Sequence, residues 1–294
     1  MDITKFKSGF VSIIGKPNVG KSTIMNILLN EKLSIISPKP QTTRQNVKGI
    51  LNDENKQIIF LDTPGFVKAR YELHEKMLEY IRNSLQDSDI VLFVTDANHF
   101  PTDYDLEILK FLKKIKVPKL AIINKIDLVT QDVIKEKIEI LSKENFELII
   151  PLSAKEEKIR EVILIAVEQF LPLHPPFYAL DEMSDLPMKF FVQELIRERI
   201  FHNYGDEIPY SSTVIVEHYK DLGNKVDIEA TIWLERKTQK IIVIGKNGEK
   251  IKKMRIEAEK EIHSLVQKRV KLNLWIKIKA NWRKKTNALK EFGY

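Results

Sequence analysis

The 294-residue sequence contains no cysteine, which excludes disulfide staples, thiolate metal sites and cysteine nucleophiles together. The same absence fits any redox compartment. Glycine is scarce, at 10 residues, while isoleucine and lysine are plentiful, a balance that fits a thermophile or an AT-rich genome equally well. No apolar run approaches the roughly 20 residues that a membrane-spanning helix needs. Met1 to Ser8 hold Lys5 and Lys7 but no long apolar stretch before a cleavage site, and they lead straight into Phe10-Val11-Ser12-Ile13-Ile14. No signal peptide is expected, and a cytoplasmic location is the simplest expectation. The six histidines are scattered and give no metal-ligand spacing.

Hydrophobic residues make up 43% of the chain and charged residues 30%, enough for a buried core under a solvated surface. The length exceeds what one core usually organises, so one large or two medium domains are expected. Net charge is +7, unevenly spread. Residues 1–180 hold 25 basic and 24 acidic side chains, residues 181–235 hold 5 and 12, and residues 236–294 hold 18 and 5. A near-neutral first part is thus followed by an acidic and then a strongly basic region. The basic end reads either as a polyanion-binding surface or as a lysine-rich solvated helix face.

Over the first 170 residues, apolar strand-like runs at 10–15, 57–62, 90–96, 119–124 and 148–152 alternate with amphipathic stretches at 22–29, 74–84, 104–115 and 133–144. That alternation predicts a mostly parallel sheet with helices on both faces. A last helix is expected over 155–170, with Ser153 and Glu156 spaced as a capping box at its start. Leu171-Pro172-Leu173-His174-Pro175-Pro176 then holds three prolines in five residues, which no helix can continue. The expected organisation is an α/β domain at 1–172, a linker at 173–187 and a smaller α+β domain at 188–294. Within the last, helices are expected at 188–202, 239–244 and 248–268, and strands at 212–220, 226–234 and 271–279.

Gly15-Lys16-Pro17-Asn18-Val19-Gly20-Lys21-Ser22 fills every position of a phosphate-binding loop between a strand and a helix. Successive backbone N–H groups and the helix N-terminus would wrap the β-phosphate. Lys21 would put a fixed charge on the β- and γ-phosphates, the Ser22 hydroxyl would reach Mg²⁺, and Thr23 continues the site into the helix. Asp62-Thr63-Pro64-Gly65 ends a later strand, where Asp62 can hold Mg²⁺ through water and the Gly65 N–H can sense the γ-phosphate. In Asn124-Lys125-Ile126-Asp127, the Asp127 carboxylate would accept from guanine N1–H and the 2-amino group, donors that adenine lacks. Lys125 can lay its stem on the base, and Asn124 can tie this loop to the phosphate loop. In Ser153-Ala154-Lys155, the Ala154 N–H is a candidate donor to guanine O6. Four motifs in order, each at a strand C-terminus, point to one guanine-nucleotide site, because open α/β sheets bind ligands at that edge. Pro40-Gln41-Thr42-Thr43-Arg44 lies where a mobile loop would close a threonine onto Mg²⁺, with Thr43 favoured over Thr42. Phe66 follows Gly65 where many GTPases carry a water-orienting glutamine. A phenyl ring cannot polarise water, so slow intrinsic hydrolysis is expected.

These motifs resemble those of the translation-factor-class GTPases. Further on, Gly245-Lys246-Asn247-Gly248, followed by Lys250, Lys252 and Lys253, looks like the Gly-x-x-Gly loop of a KH domain set between a short and a long helix. A GTPase domain followed by one KH domain is similar, over essentially the whole length, to the Era family of bacterial ribosome-assembly GTPases. The resemblance implies GTP and GDP as ligands with Mg²⁺, and contact of Gly245, Lys246, Asn247, Gly248, Lys250, Lys252 and Lys253 with RNA. It also implies binding near the 3′ end of 16S ribosomal RNA, a role in 30S subunit assembly, and peripheral association with the inner membrane; a monomer is expected. Asn18 matches the phosphate-loop asparagine of related GTPases in which K⁺ is thought to replace an arginine finger, so potassium-stimulated hydrolysis is a further expectation. Trp233, Trp275 and Trp282 are expected in the core or at a groove edge, with Trp282 beside Arg283-Lys284-Lys285 also placed to stack a base. Two other readings stay open: a C-terminal domain that binds a protein or acidic membrane, and an RNA chaperone that keeps a GTP site for stability alone.

Overall fold

The computed structural model describes residues 5–294, divided into two compact units. The first comprises the chain up to Ala69 together with His74–Asp185, and the second comprises Arg70–Leu73 with Leu186–Tyr294. In order, the first unit contains β1 (Lys7–Ile14), α1 (Lys21–Leu29), β2 (Val47–Asn52), β3 (Lys56–Asp62), α2 (Glu72–Gln86, whose first two residues group with the second unit), β4 (Ile90–Asp96), α3 (Asp103–Leu112), β5 (Lys119–Asn124), α4 (Gln131–Leu141), β6 (Leu148–Pro151) and α5 (Ile159–Glu168). Its six strands run β2-β3-β1-β4-β5-β6, with β2 antiparallel to β3 and every other pair parallel. All seven residues of β4 are buried, as a strand covered on both faces must be. This is the mostly parallel α/β architecture expected, with one strand more than the sequence suggested.

The extra strand, β2, was hidden by Gly49. Glycine weakens a strand pattern, yet here a Cβ would lie 2.2 Å from Leu29 Cδ1 and 2.7 Å from Met25 Cε, so its absence lets α1 press on the sheet. The capping box expected at Ser153 and Glu156 does not form. Glu156 closes a turn onto the Ser153 carbonyl, α5 starts only at Ile159, and the Ser153 hydroxyl is spent on Asp127 at 2.7 Å.

The segment expected as a linker has no regular structure but is not loose. Residues 173–185 belong to the first unit and run along its β2–β3 side. Leu173 bridges to Lys7, and the Gln57 carboxamide accepts from the Phe177 and Tyr178 N–H groups at 2.7 and 3.0 Å. The Ile50 N–H donates to the Met183 carbonyl at 2.8 Å, which covers the open edge of β2.

The second unit continues with α6 (Met188–Asn203), α7 (Ile208–Ser211), β7 (Thr213–Asp221), β8 (Lys225–Leu234), α8 (Lys237–Ile244), α9 (Glu249–Val266), β9 (Arg269–Ile278) and α10 (Thr286–Glu291). Its sheet order is β7-β8-β9, antiparallel in the first pair and parallel in the second. Alternate residues of β7 and β8, such as Val214, Val216, Ile228 and Ile232, pack with Val192 and Ile196 of α6 and with Met254, Ala258 and Ile262 of α9. The short helices α7 and α10 lack the length to show a period in sequence. Trp282 is fully buried, donates its indole N–H to the Ser211 carbonyl at 2.9 Å and packs on Phe292 and Tyr294. It therefore cannot stack a base; Trp275, 45% exposed on β9, stays at the surface. No described helix is long and apolar enough to cross a membrane.

Candidate functional site

A cavity of about 500 Å³ opens at the C-terminal edge of the parallel strands. Its walls bring together Pro17, Asn18, Gly20, Lys21, Ser22 and Thr23. Thr43, Gly65, Asn124, Lys125 and Asp127 join them, as do Ser153, Ala154 and Lys155. Five stretches far apart in sequence thus meet: four because each leaves its strand at the same edge, and Thr43 from the loop that precedes β2. The chain turns sharply into α1 at Gly20, whose φ of 101° suits glycine, and a Cβ there would lie 2.4 Å from Asn124 Nδ2. That turn aims the N-terminus of α1 into the cavity.

Lys21 Nζ donates to the carbonyls of Gly15 and Lys16 at 3.1 and 3.0 Å. Burial pushes its ammonium down to about 8, against the charge of Asp62, which pulls it up. Asp62 is itself fully buried, and burial drives its carboxyl above the usual range despite Lys21 and the Ser22 hydroxyl. Ser22 Oγ lies 2.7 Å from Asp62 Oδ2 and 3.0 Å from Thr43 Oγ1, and Thr43 Oγ1 lies 3.4 Å from Asp62 Oδ2. Thr42 points elsewhere, donating to the Lys39 carbonyl at 2.8 Å. Asp62 Oδ1 is buried with no hydrogen-bond partner. Three converging hard oxygens and an orphaned carboxylate oxygen are a donor set that fits Mg²⁺.

At the far end, Asp127 Oδ1 accepts from Ser153 Oγ and Oδ2 from Lys155 Nζ, each at 2.7 Å. The Lys155 and Ser153 hydrogen bonds hold the Asp127 carboxyl below the usual carboxylate range. Asn124 staples the loops, donating to the Val19 carbonyl at 2.8 Å and accepting from the N–H of Lys125 and of Ala154 at 2.8 and 3.0 Å. The Ala154 N–H expected for guanine is thus held by Asn124. Gly15, Lys16, Val19 and Asp62 are not among the cavity's lining residues. Lys16 turns its side chain away, to Asp105 Oδ2 at 2.8 Å and the His99 carbonyl at 2.9 Å.

Two residues that the motifs do not flag hold this frame. Asp96, at the end of β4, accepts from Lys125 Nζ at 2.6 Å while that ammonium also reaches the Asn18 carbonyl at 2.7 Å. Burial raises the Asp96 carboxyl, but the hydrogen bond and charge of Lys125 outweigh it, leaving a net lowering. Its position at a strand C-terminus was the available signal. Asp105 caps α3 through Thr102 and receives Lys16; only the Thr102-x-x-Asp105 spacing hinted at it. Ile35, Ile36, Ser37 and Pro38 also line the cavity, and nothing in their sequence marks them.

In the second unit, Gly245–Gly248 form the turn between α8 and α9, with Asn247 and Gly248 at φ of 52° and 77°. Lys246, Lys250, Lys252 and Lys253 are all exposed around it, next to exposed Ile241 and Ile242.

Residues 10–125 match a family model described as 50S ribosome-binding GTPase, and residues 207–283 match a KH domain. The GTPase Era of Geotalea uraniireducens is 42% identical, across 99% of this chain and 98% of that protein. The chain belongs to the GTPase Era family. The Era of Staphylococcus haemolyticus is 41% identical over the same shares of each chain. Among solved structures, an Aquifex aeolicus Era variant bound to GDP·AlF4⁻ superposes with a TM-score of 0.94, at 36% identity over 98% of this chain and 99% of that one. Era in complex with MgGDPNP and nucleotides 1506–1542 of 16S ribosomal RNA gives 0.93, at the same identity and coverage. As a member of the Era family, the chain is a GTP-hydrolysing enzyme with a P-loop GTPase domain followed by a KH domain.

Proposed function

We propose that this chain is a GTP-controlled RNA-binding switch that grips the 3′ region of small-subunit ribosomal RNA during 30S assembly. The observation that carries it is the pairing, in one chain, of a guanine-nucleotide cavity with an exposed, four-lysine Gly-x-x-Gly turn. The Era complex with 16S ribosomal RNA nucleotides supports the choice of RNA.

In this reading Lys21 exchanges the Gly15 and Lys16 carbonyls for phosphate oxygens, and Asp127 reads the guanine edge. Lys125, anchored by Asp96, lays its stem along the base. Ser22, Thr43 and Asp62 would hold Mg²⁺, which when bound neutralises charge building on the phosphate oxygens. The Gly65 N–H senses the γ-phosphate. Phe66 leaves the attacking water without a polar guide, so turnover is slow. Asn18 donates to the Pro38 carbonyl at 2.7 Å through Nδ2, which leaves its Oδ1 to hold a K⁺ ion. Hydrolysis is accordingly expected to run several-fold, roughly tenfold, faster in potassium than in sodium buffer; equal rates would remove the ion from the mechanism.

The 18 basic against 5 acidic side chains of residues 236–294 give the protein a polyanion-binding end. In the cytoplasm that end meets RNA first and an anionic membrane surface second, and the switch acts as a monomer.

The KH assignment is tested at Gly248. A Cβ there meets nothing within 4 Å, and an aspartate tolerates positive φ better than most residues. Gly248→Asp should therefore keep the fold while placing a carboxylate against the RNA backbone. Affinity for a short 3′-end oligonucleotide should fall about tenfold or more, with GTP hydrolysis unchanged. Undiminished RNA affinity would count against this loop as the contact. Measured with GDP and with a non-hydrolysable GTP analogue, the same affinity should differ; by linkage, RNA then shifts nucleotide affinity by the same factor.

A further inference from the structure

A second cavity, of about 280 Å³, lies in the first unit between α2 and α3, away from the nucleotide. Phe66, Leu78 and Phe111 form its partly buried floor, over buried Ile81. Around this floor stand Arg82, Lys110 and Lys114, all exposed and none in an ion pair among the described residues. The one acidic lining residue, Glu107, is neutralised by Lys68 at 3.1 Å. An apolar trough of aromatic and aliphatic side chains with a rim of three free cations is unlike an ordinary solvated surface.

We propose that this groove is a docking site for an amphipathic helix with acidic flanks, supplied by a partner protein. Its walls are two helices whose backbone groups are already paired, so they offer no sheet edge to an extended peptide. A helix, which satisfies its own backbone, can lay apolar residues at i, i+3, i+4 and i+7 on Phe66, Leu78 and Phe111. Glutamate or aspartate on its flanks would then meet Arg82, Lys110 and Lys114. A nucleic-acid backbone would satisfy the cations but leave the apolar floor without a partner.

The groove also adjoins the switch. Gly65 lines the nucleotide cavity and Phe66 lines the groove. The Phe66 N–H donates at 3.1 Å to the Gly15 carbonyl, which also accepts Lys21 Nζ at 3.1 Å. Resting on the nucleotide reading above, the proposal includes a partner affinity that differs between the GDP and GTP forms.

The test is fluorescence anisotropy on the full chain. The probe is a labelled peptide of roughly 16 residues, with leucine and phenylalanine on one helical face and glutamate on its flanks. Binding is expected with Kd on the order of 10 µM, and Arg82→Glu with Lys110→Glu should weaken it at least about tenfold while leaving nucleotide affinity unchanged. Binding no tighter than that of a control peptide with serine on the apolar face would overturn the groove, as would an unaffected double variant. If an RNA oligonucleotide displaced the peptide and itself lost affinity in that variant, the face would belong to nucleic acid and the proposal would fall. Peptide affinities with GDP and with a non-hydrolysable analogue should differ at least about threefold. Equal values would overturn the coupling, while intact nucleotide binding beside absent peptide binding would sink the groove and spare the nucleotide site.

Discussion

Lys21→Ala is expected to lower kcat/KM for GTP by about a thousandfold or more, about 4 kcal/mol of transition-state stabilisation. The reason lies in where the ammonium sits. It is buried, hydrogen-bonded to the Gly15 and Lys16 carbonyls, in a cavity whose other cations, Lys125 and Lys155, are not buried. Charge developing on the transferred phosphoryl group would meet no other buried cation among the cavity's lining residues. Burial lowers the lysine to about 8 and raises Asp62, and their mutual attraction offsets that desolvation only in part. A lysine whose pKa falls below its unfolded value costs stability at every pH below the folded value, and the cost fades as pH climbs from about 8 toward 10.5. Lys21→Met, which keeps the volume and removes the charge, relieves the lysine's burial cost but takes the countercharge from buried Asp62, so the nucleotide-free melting temperature at neutral pH should move by no more than a few degrees. Turnover should be lost as in the alanine variant. Single-turnover hydrolysis and a thermal melt on the same sample separate lost chemistry from lost fold. Activity within tenfold of the parent would remove Lys21 from its role.

Asp127→Asn should weaken GTP binding by about a hundredfold or more and let xanthosine triphosphate compete. The carboxylate is positioned by Ser153 on one oxygen and Lys155 on the other, and both hold it ionised to lower pH than an ordinary aspartate. Two acceptors on one group suit the two donors of the guanine edge. Asparagine replaces one acceptor with an N–H₂ group that faces the guanine 2-amino donor, a mismatch that leaves polar groups unpaired. Xanthine carries a carbonyl at that position and would restore the pairing. Competition of the two nucleotides for the variant reads this directly; GTP affinity within about threefold of the parent would place the base elsewhere.

The nucleotide motifs were legible because each encodes backbone chemistry at a strand end. Gly20 must take positive φ, Lys21 must follow it into the helix, and Asn124 must bridge to Val19. Such demands leave few alternative residues. Lys16 was placed at the nucleotide as part of a loop that binds through its backbone, and where its side chain goes, to Asp105, a carboxylate 89 positions away, no local pattern announces. Asp96 escaped notice for the same reason, since its meaning depends on where Lys125 ends. Trp282 was expected in the core or at a groove edge, with base stacking as an alternative because it sits beside basic residues; Ser211, Phe292 and Tyr294 enclose it, so the core reading holds and the stacking one falls. Charge neighbours in sequence say little about burial when one side chain of a short turn faces inward. In the KH unit, sheet alternation and helix period were strong enough to place six elements, and only α7 and α10 were too short to read.

The strap at 173–185 bears on how the molecule can be divided. A fragment ended at Pro172 would keep every nucleotide motif but lose the partner of the Ile50 N–H and the cover over Gln57. Its outermost strand would then be an open template for a neighbouring chain. A GTPase fragment that stays soluble has to extend through Asp185, so the proline-rich segment acts less as a hinge than as the selvedge that keeps the first sheet from fraying.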